Sequence, residues 1–292
     1  MTQRFVYELI GANGDHLYFD NASYAVMSDG LEGFSGHPAE LNLISTPGEI
    51  GELAANSTIK KRTLSMKLLV MGNGRAELDA KRLRLIKALN PINGASRLIW
   101  NREDGLSLGI DVYPDSNSPE FRTGTLPDAR SWECYLDLIA PDPCWQSMTA
   151  ETTMLRGFVG GWSLPMSLPV SFGGVGTTLT MINPGDTPSP CEITLRGFLE
   201  TPVIQNLITG ESITVKRTIR AGEILTINTA HGNRSVTLTD IYGNVTNALH
   251  YVTISSTFFQ IPSGNVKVTY SATDEGSGAV GYISYTPRWL SV

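Results

Sequence analysis

From residue 178 onward, the chain carries about nine short runs that alternate apolar and polar residues at roughly ten-residue spacing. Gly, Pro and Asn separate them, at Thr209-Gly210-Glu211, Ala221-Gly222-Glu223, His231-Gly232-Asn233, Tyr242-Gly243-Asn244, Pro262-Ser263-Gly264-Asn265 and residues 274–278. A period of two sends alternate side chains to opposite faces of a sheet, so this half predicts a β-sandwich. No helix is signalled in it.

The first half is mostly β with one helix. Strands are expected at 5–10, 16–19, 23–27, 58–70, 97–101, 106–113, 120–126 and 132–140. The last of these alternates Trp132, Cys134, Leu136 and Leu138 against Glu133, Tyr135 and Asp137. Residues 74–89 predict the helix, with Asn73 as its cap, Glu77 and Asp79 near its start and Asn90-Pro91 as its stop. Its stripe is Leu78, Leu85, Ile86 and Leu89, a face for packing on a sheet. Residues 29–56 hold seven Gly and Pro residues and one short strand candidate, 40–44. A stretch so poor in regular structure reads either as a functional arm or as a mobile surface loop.

With 292 residues the chain has room for two domains, placed at 1–147 and 148–292, where 148–177 is a Gly-, Pro- and Met-rich linker carrying Trp162 and Phe172. Trp100, Trp132 and Trp289 lie in or beside strands and are expected in cores, while Trp145 and Trp162 are expected to pin the linker. Three cysteines (Cys134, Cys144, Cys191) form no CxxC pair and read as buried free thiols. The start has no signal-peptide pattern and no apolar run approaches the length of a membrane helix, so synthesis in the cytoplasm without membrane insertion is expected.

Chemistry has no local signature here. A phosphate loop and Gly-x-Ser-x-Gly do not occur, and Gly173-Gly174-Val175-Gly176 lacks the strand-to-helix context of a dinucleotide site. The four histidines are scattered, away from metal-ligand spacing. We assign no catalytic residue, cofactor or metal and expect a non-enzyme. Five tryptophans and ten tyrosines leave a sugar-stacking surface open as the alternative, a carbohydrate-binding adhesin module.

Charge is divided along the first half. Residues 5–59 hold eight acids and no Lys or Arg, whereas residues 60–102 hold eleven bases against Glu77 and Asp79. The two runs neutralise each other within one subunit, or they meet between identical subunits, head to tail. On the second reading the candidate contacts are Glu32, Glu40, Glu49 and Glu52 on the arm, and Lys60, Lys61 and Arg62 on the neighbour. Charge reversal at Lys60, Lys61 and Arg62 then weakens the oligomer, most strongly at low salt; an oligomer intact at every salt concentration overturns the idea.

Several motifs follow one another in a recognisable order. They are Asn183-Pro184-Gly185-Asp186-Thr187-Pro188-Ser189-Pro190, a strand ending at Gly197, Pro202-Val203-Ile204-Gln205-Asn206, Thr209-Gly210, residues 222–227 (GEILTI), and a Pro262–Val266 turn before an aromatic-rich last strand. The first half adds Leu89-Asn90-Pro91-Ile92-Asn93-Gly94 and Ala140-Pro141-Asp142-Pro143-Cys144-Trp145. This order resembles the distal tail proteins of long-tailed (siphovirus) bacteriophages over essentially the whole chain. Asn228 stands where relatives often carry Asp. The resemblance implies a mainly β fold, with an N-terminal split-barrel-like domain bearing one helix and a C-terminal galectin-like sandwich. It further implies a hexameric ring, single or stacked, in the virion tail tip. Such a ring joins the tail tube protein to a hub or fibre protein, and DNA passes through its lumen only as cargo. The strand 280–289 is expected to return toward the first domain.

Overall fold

The structure, a computed structural model, describes residues 6–19, 23–36, 38–48, 50–123, 130–156, 177–276 and 278–291. These residues are mainly β, with a single α-helix among them. They form two compact units, 1–148 with 289–292 and 149–288, so the second unit is inserted near the end of the first.

The first unit contains β1 (Tyr7–Ile10), β2 (His16–Phe19), β3 (Tyr24–Glu32), β4 (Ala39–Ser45), β5 (Glu52–Ile59), β6 (Arg62–Met71), α1 (Arg75–Ala88), β7 (Ser96–Asn101), β8 (Ser107–Pro114), β9 (Glu120–Thr123), β10 (Ser131–Ala140) and β11 (Trp145–Ser147). Its main sheet runs β2-β1-β7-β8-β10-β6-β3. The join between β8 and β10 is short: only Leu138 opposite Pro114 and Ile139 opposite Tyr113 are in register. By contrast, β10 and β6 pair along their whole length, from Ser131–Met71 to Ala140–Arg62. The alternation expected in β10 is present, since Trp132, Cys134, Leu136 and Leu138 are buried and the intervening residues are not.

Helix α1 covers this sheet with Leu78, Leu85, Ala88 and Leu89. Two expectations about it change. Asn73 is not its cap; Gly74 holds that position, and the Asn73 backbone N–H instead donates to Glu77 Oε2 at 2.9 Å. Ile86 leaves the stripe and is exposed: it and Ala88 lie about 80° to either side of Leu78, and the helix buries the Ala88 side. The single strand expected at 58–70 is two strands, broken at Lys60-Lys61. All three cysteines are buried free thiols, and burial raises Cys134 and Cys191 to about 12, so neither offers a thiolate at neutral pH. Trp145 is completely buried in the core of this unit, together with Trp132.

The second unit adds β12 (Glu151–Arg156), β13 (Thr177–Asn183), β14 (Cys191–Arg196), β15 (Leu199–Glu200), β16 (Val203–Asn206), β17 (Ser212–Thr214), β18 (Thr218–Ile219), β19 (Ile224–Asn228), β20 (Ser235–Thr239), β21 (Val245–Asn247), β22 (Gly264–Ser271), β23 (Asp274–Glu275), β24 (Val280–Tyr285) and the start of β25 (Arg288–Trp289). One sheet is ordered β12-β24-β14-β19-β20-β21 and a second β13-β22-β16-β17, with a small third sheet β18-β15-β23. Ile193, Leu195, Leu225, Ile227, Val236 and Ile283 of the first meet Met181, Ile204, Val266, Val268 and Tyr270 of the second in one core. Tyr285 Oη links the sheets by donating to the Ile182 carbonyl at 2.9 Å. Part of the stretch read as a linker is β12, paired with β24; Trp162 and Phe172 lie outside the described residues.

Glu275 is an unexpected inward group, placed where a turn had been expected. It sits opposite Leu199, which in turn sits opposite Ile219, so all three share the face that buries those two residues. Its Oε1 is buried and has no hydrogen-bond partner among the described residues. Burial raises its pKa above the ordinary carboxylate value. The folded state therefore holds the proton more tightly than the unfolded chain. Stability from this group is fully present below the unfolded value, and is lost as pH rises through the folded one. In thermal melts at pH 7, Glu275→Gln is expected to melt higher than the wild type, and the gap is expected to close as pH falls toward 4.5.

Candidate functional site

The feature of the first unit that its own core does not explain is the hairpin β4–β5. It forms a two-stranded sheet by itself, and every residue of both strands is exposed. Residues 29–56, read as short of regular structure, are thus largely β, and most of them belong to an exposed hairpin. Its register runs from Ala39–Ile59 to Ser45–Glu52, with a bulge after Asn42.

Register sorts its side chains onto two faces. One face carries Ala39, Leu41, Leu43, Ala54, Ser57 and Ile59, with Ser45 and Glu52 at the tip. The other carries Glu40, Asn42, Asn56 and Thr58, then Ile44 and Leu53 toward the tip. On the polar face the Asn42 and Asn56 amides bond at 2.5 Å, and Glu40 forms an ion pair with Lys60 of the same chain. The more apolar face has the Ser45–Glu52 bond at its tip, and below it Leu41 is 60% exposed and Leu43 is 52% exposed. An isolated two-stranded hairpin is marginal in water, and apolar groups concentrated on it mark a surface that gains by being covered.

The root of this arm is rigid. Gly33 turns the chain out of β3 with φ 80°, where an added Cβ would lie 2.0 Å from the Thr63 carbonyl oxygen. Phe34 follows and enters an aromatic cluster, 5.5 Å from the Tyr7 ring and 5.9 Å from Trp145, with Trp100 against both of those rings. At the other root, Arg62 is only 2% exposed. Its Nη1 donates to Gly33 O at 2.6 Å, and more weakly to Phe34 O at 3.5 Å. Its Nε donates to Pro143 O at 2.9 Å, and its Nη2 donates to Leu290 O.

The expected contact residues separate accordingly. Glu32 ends β3 on the surface, Glu52 accepts from Ser45 Oγ at 2.8 Å near the tip, and Lys61 is exposed beside Lys60. Glu40 and Lys60 are brought together within one chain, as are Asp29 and Lys67 at 3.9 Å, so part of the charge division is neutralised internally. Glu49 lies outside the described residues. Arg62 is a correction: burial and carbonyl bonding withdraw it from any outer surface. The apolar residues Leu41, Leu43 and Ile59 were passed over, although the alternation of Leu41 and Leu43 was there to be read.

No group of three or more His, Cys, Asp or Glu suited to a metal occurs among the described residues, and no described helix is long and apolar enough to cross a membrane. An open groove of about 530 Å³ lies beside the start of α1, where Lys81 and Glu77 face each other at 2.7 Å and satisfy one another.

In the second unit the motif residues act as turn keystones. Asn183 is buried; its Nδ2 donates to Ile261 O at 3.0 Å and its Oδ1 accepts from Gly185 N at 3.0 Å. Asn206 is buried too and accepts from Ile208 N at 2.9 Å. Residues 184–289 match the family described as the siphovirus-type tail component, C-terminal domain. The resemblance read from the sequence is borne out. The Dit protein of phage SPP1, described as a paradigm of the hub adsorption apparatus in phages that infect Gram-positive bacteria, has the same fold. Its TM-score is 0.69 at 14% identity, over 97% of this chain and 99% of that one. A chain of the phage p2 baseplate in its activated, Ca-bound conformation aligns with a TM-score of 0.50 at 13% identity, over 95% and 97% of the two chains. No curated protein matches the chain.

If the apolar face of the arm belongs to no core of its own chain, shortening it should leave the isolated subunit intact. Leu43→Ser is expected to change unfolding free energy by less than about 0.5 kcal/mol in denaturant titrations of dilute protein. Leu68→Ala in β6, at a completely buried position, is expected to cost about 3 kcal/mol in the same titrations.

Proposed function

We propose that this chain is a structural component of a bacteriophage tail tip. Six copies form a ring that connects the tail tube to the hub or fibre proteins beyond it. What carries the reading is the family match of residues 184–289, joined to a fold likeness covering nearly the whole of this chain and of a hub protein. In this proposal the first unit is the tail-tube-like, split-barrel ring domain, and the second is the galectin-like domain. The ring, single or stacked, is assembled in the host cytoplasm and resides in the virion; DNA passes through it without being read, and catalysis plays no part.

The exposed arm supports assembly from identical copies. A second copy is the occupant we assign to its apolar face, because the contact replaces water on Leu41, Leu43 and Ile59 in every protomer of a closed ring. The adhesin alternative has less behind it. Tyr270 and Tyr285 are buried, and Tyr242, exposed at a turn, stands beside Asp240 and Asn244, which bond to each other at 2.9 Å.

Native mass spectrometry tests the proposal: six-fold or twelve-fold species are expected. The double variant Leu41→Asp, Leu43→Asp should weaken that assembly at least a hundredfold, because two buried leucines contribute about 3 kcal/mol or more. A wild type that stays monomeric at high concentration, and binds cell-wall sugar through the second unit, overturns it.

A further inference from the structure

Arg62 stands at the trailing root of the arm, yet all four of its carbonyl partners lie outside the strands. Two of them, Gly33 and Phe34, form the leading root of the same arm. One, Pro143, belongs to the segment just before β11, and the fourth, Leu290, belongs to the chain end that follows the second unit. We propose that Arg62 is a positioning residue that makes the set of the arm depend on the seating of the C-terminal tail.

The argument is one of geometry. A guanidinium is planar, and its N–H groups point in fixed directions, so its acceptors cannot move independently. Leu290 O is held by Nη2 and Gly33 O by Nη1 of one buried fork. If the tail leaves, a buried charged donor loses its acceptor, and the fork must turn or admit water to recover one. Either adjustment disturbs the 2.6 Å bond to Gly33 O. Gly33 has little freedom to compensate, because its positive φ and its closeness to the Thr63 carbonyl fix it. The change therefore appears in the direction and order of the residues that lead into β4.

The tail is well placed to act as the other half of this latch. Trp289 packs on the core of the first unit, and residue 288 immediately before it belongs to the second unit. The chain crosses between the units twice, after Met148 and after Arg288, and a displacement carried along the second crossing reaches Trp289 and Leu290 first. The proposal rests on the arm being an assembly contact only for its consequence; the coupling itself is a property of one chain.

Hydrogen exchange on the full-length protein, dissociated to subunits, provides the test. Arg62→Lys keeps the charge but removes the fork. It is expected to speed exchange of the paired β4 amides and of the Lys60 amide, which donates to Pro38 O, by roughly tenfold, the ratio that one lost hydrogen bond to a charged group implies. Truncation after Trp289, which keeps the packed ring, and truncation after Arg288 are each expected to do the same to those amides, while β10 and the second unit remain protected. Combining Arg62→Lys with either truncation should add little, since both remove one shared link. Additive effects, or truncations that leave the β4 and Lys60 amides protected, overturn the coupling. Failure of the ring proposal reads differently, as a wild type that never assembles whatever its exchange pattern.

Discussion

A single buried guanidinium organises the first unit. Placing a charge in a protein interior is costly unless its donors are satisfied, and Arg62 meets that demand with backbone carbonyls from residues 33, 34, 143 and 290. Those positions are spread over almost the full length of the chain. Each carbonyl at such a turn would itself need a partner once removed from water. The arrangement therefore solves two problems at once, and it leaves the unit with a firm root from which an exposed hairpin departs. Lysine could supply the charge but not the planar set of donors, which is why the residue type matters as much as the position.

The hairpin shows the opposite economy. Its inward backbone groups bond within the pair while both outer edges stay open to water, and Leu41, Leu43 and Ile59 are exposed on it. Its polar face is self-contained through the Asn42–Asn56 bond and the Glu40–Lys60 pair. The acidic and basic runs of the sequence are thereby joined at the arm's base, and what remains open for association is more apolar than the charge pattern alone implied. Exposed ion pairs contribute little on average, so covering apolar area is the stronger term for any contact made here.

The second unit explains why its family pattern lies in turns. Positions such as Ile193 or Val268 need only be apolar and of suitable size, and many residues meet that need. Asn183 and Asn206 must supply side-chain donors or acceptors to backbone groups that have no strand partner, so their identity is constrained far more tightly. Pattern recognition therefore worked from Asn, Gly and Pro around strands that are themselves anonymous.

The alternation of β10, the position of α1, the many short strands after residue 178 and the order of the turn motifs were legible in the sequence. All are local: they depend on side-chain period and on backbone preferences within a few residues. Only the tertiary structure decided the rest. It showed that residues 39–45 and 52–59 pair as a hairpin, that Lys60-Lys61 breaks what looked like one strand, and that Ala88 turns inward in place of Ile86. It placed Glu275 on an inward face, and of the strand expected to return to the first domain it kept 280–285 in the second unit and returned only residues 289–292. It also took Arg62 from a basic surface run and buried it among carbonyls up to 228 positions away. Periodicity states which face of a segment seeks cover, but the covering partner is chosen by contacts distant in sequence, and those exist only once the chain has folded.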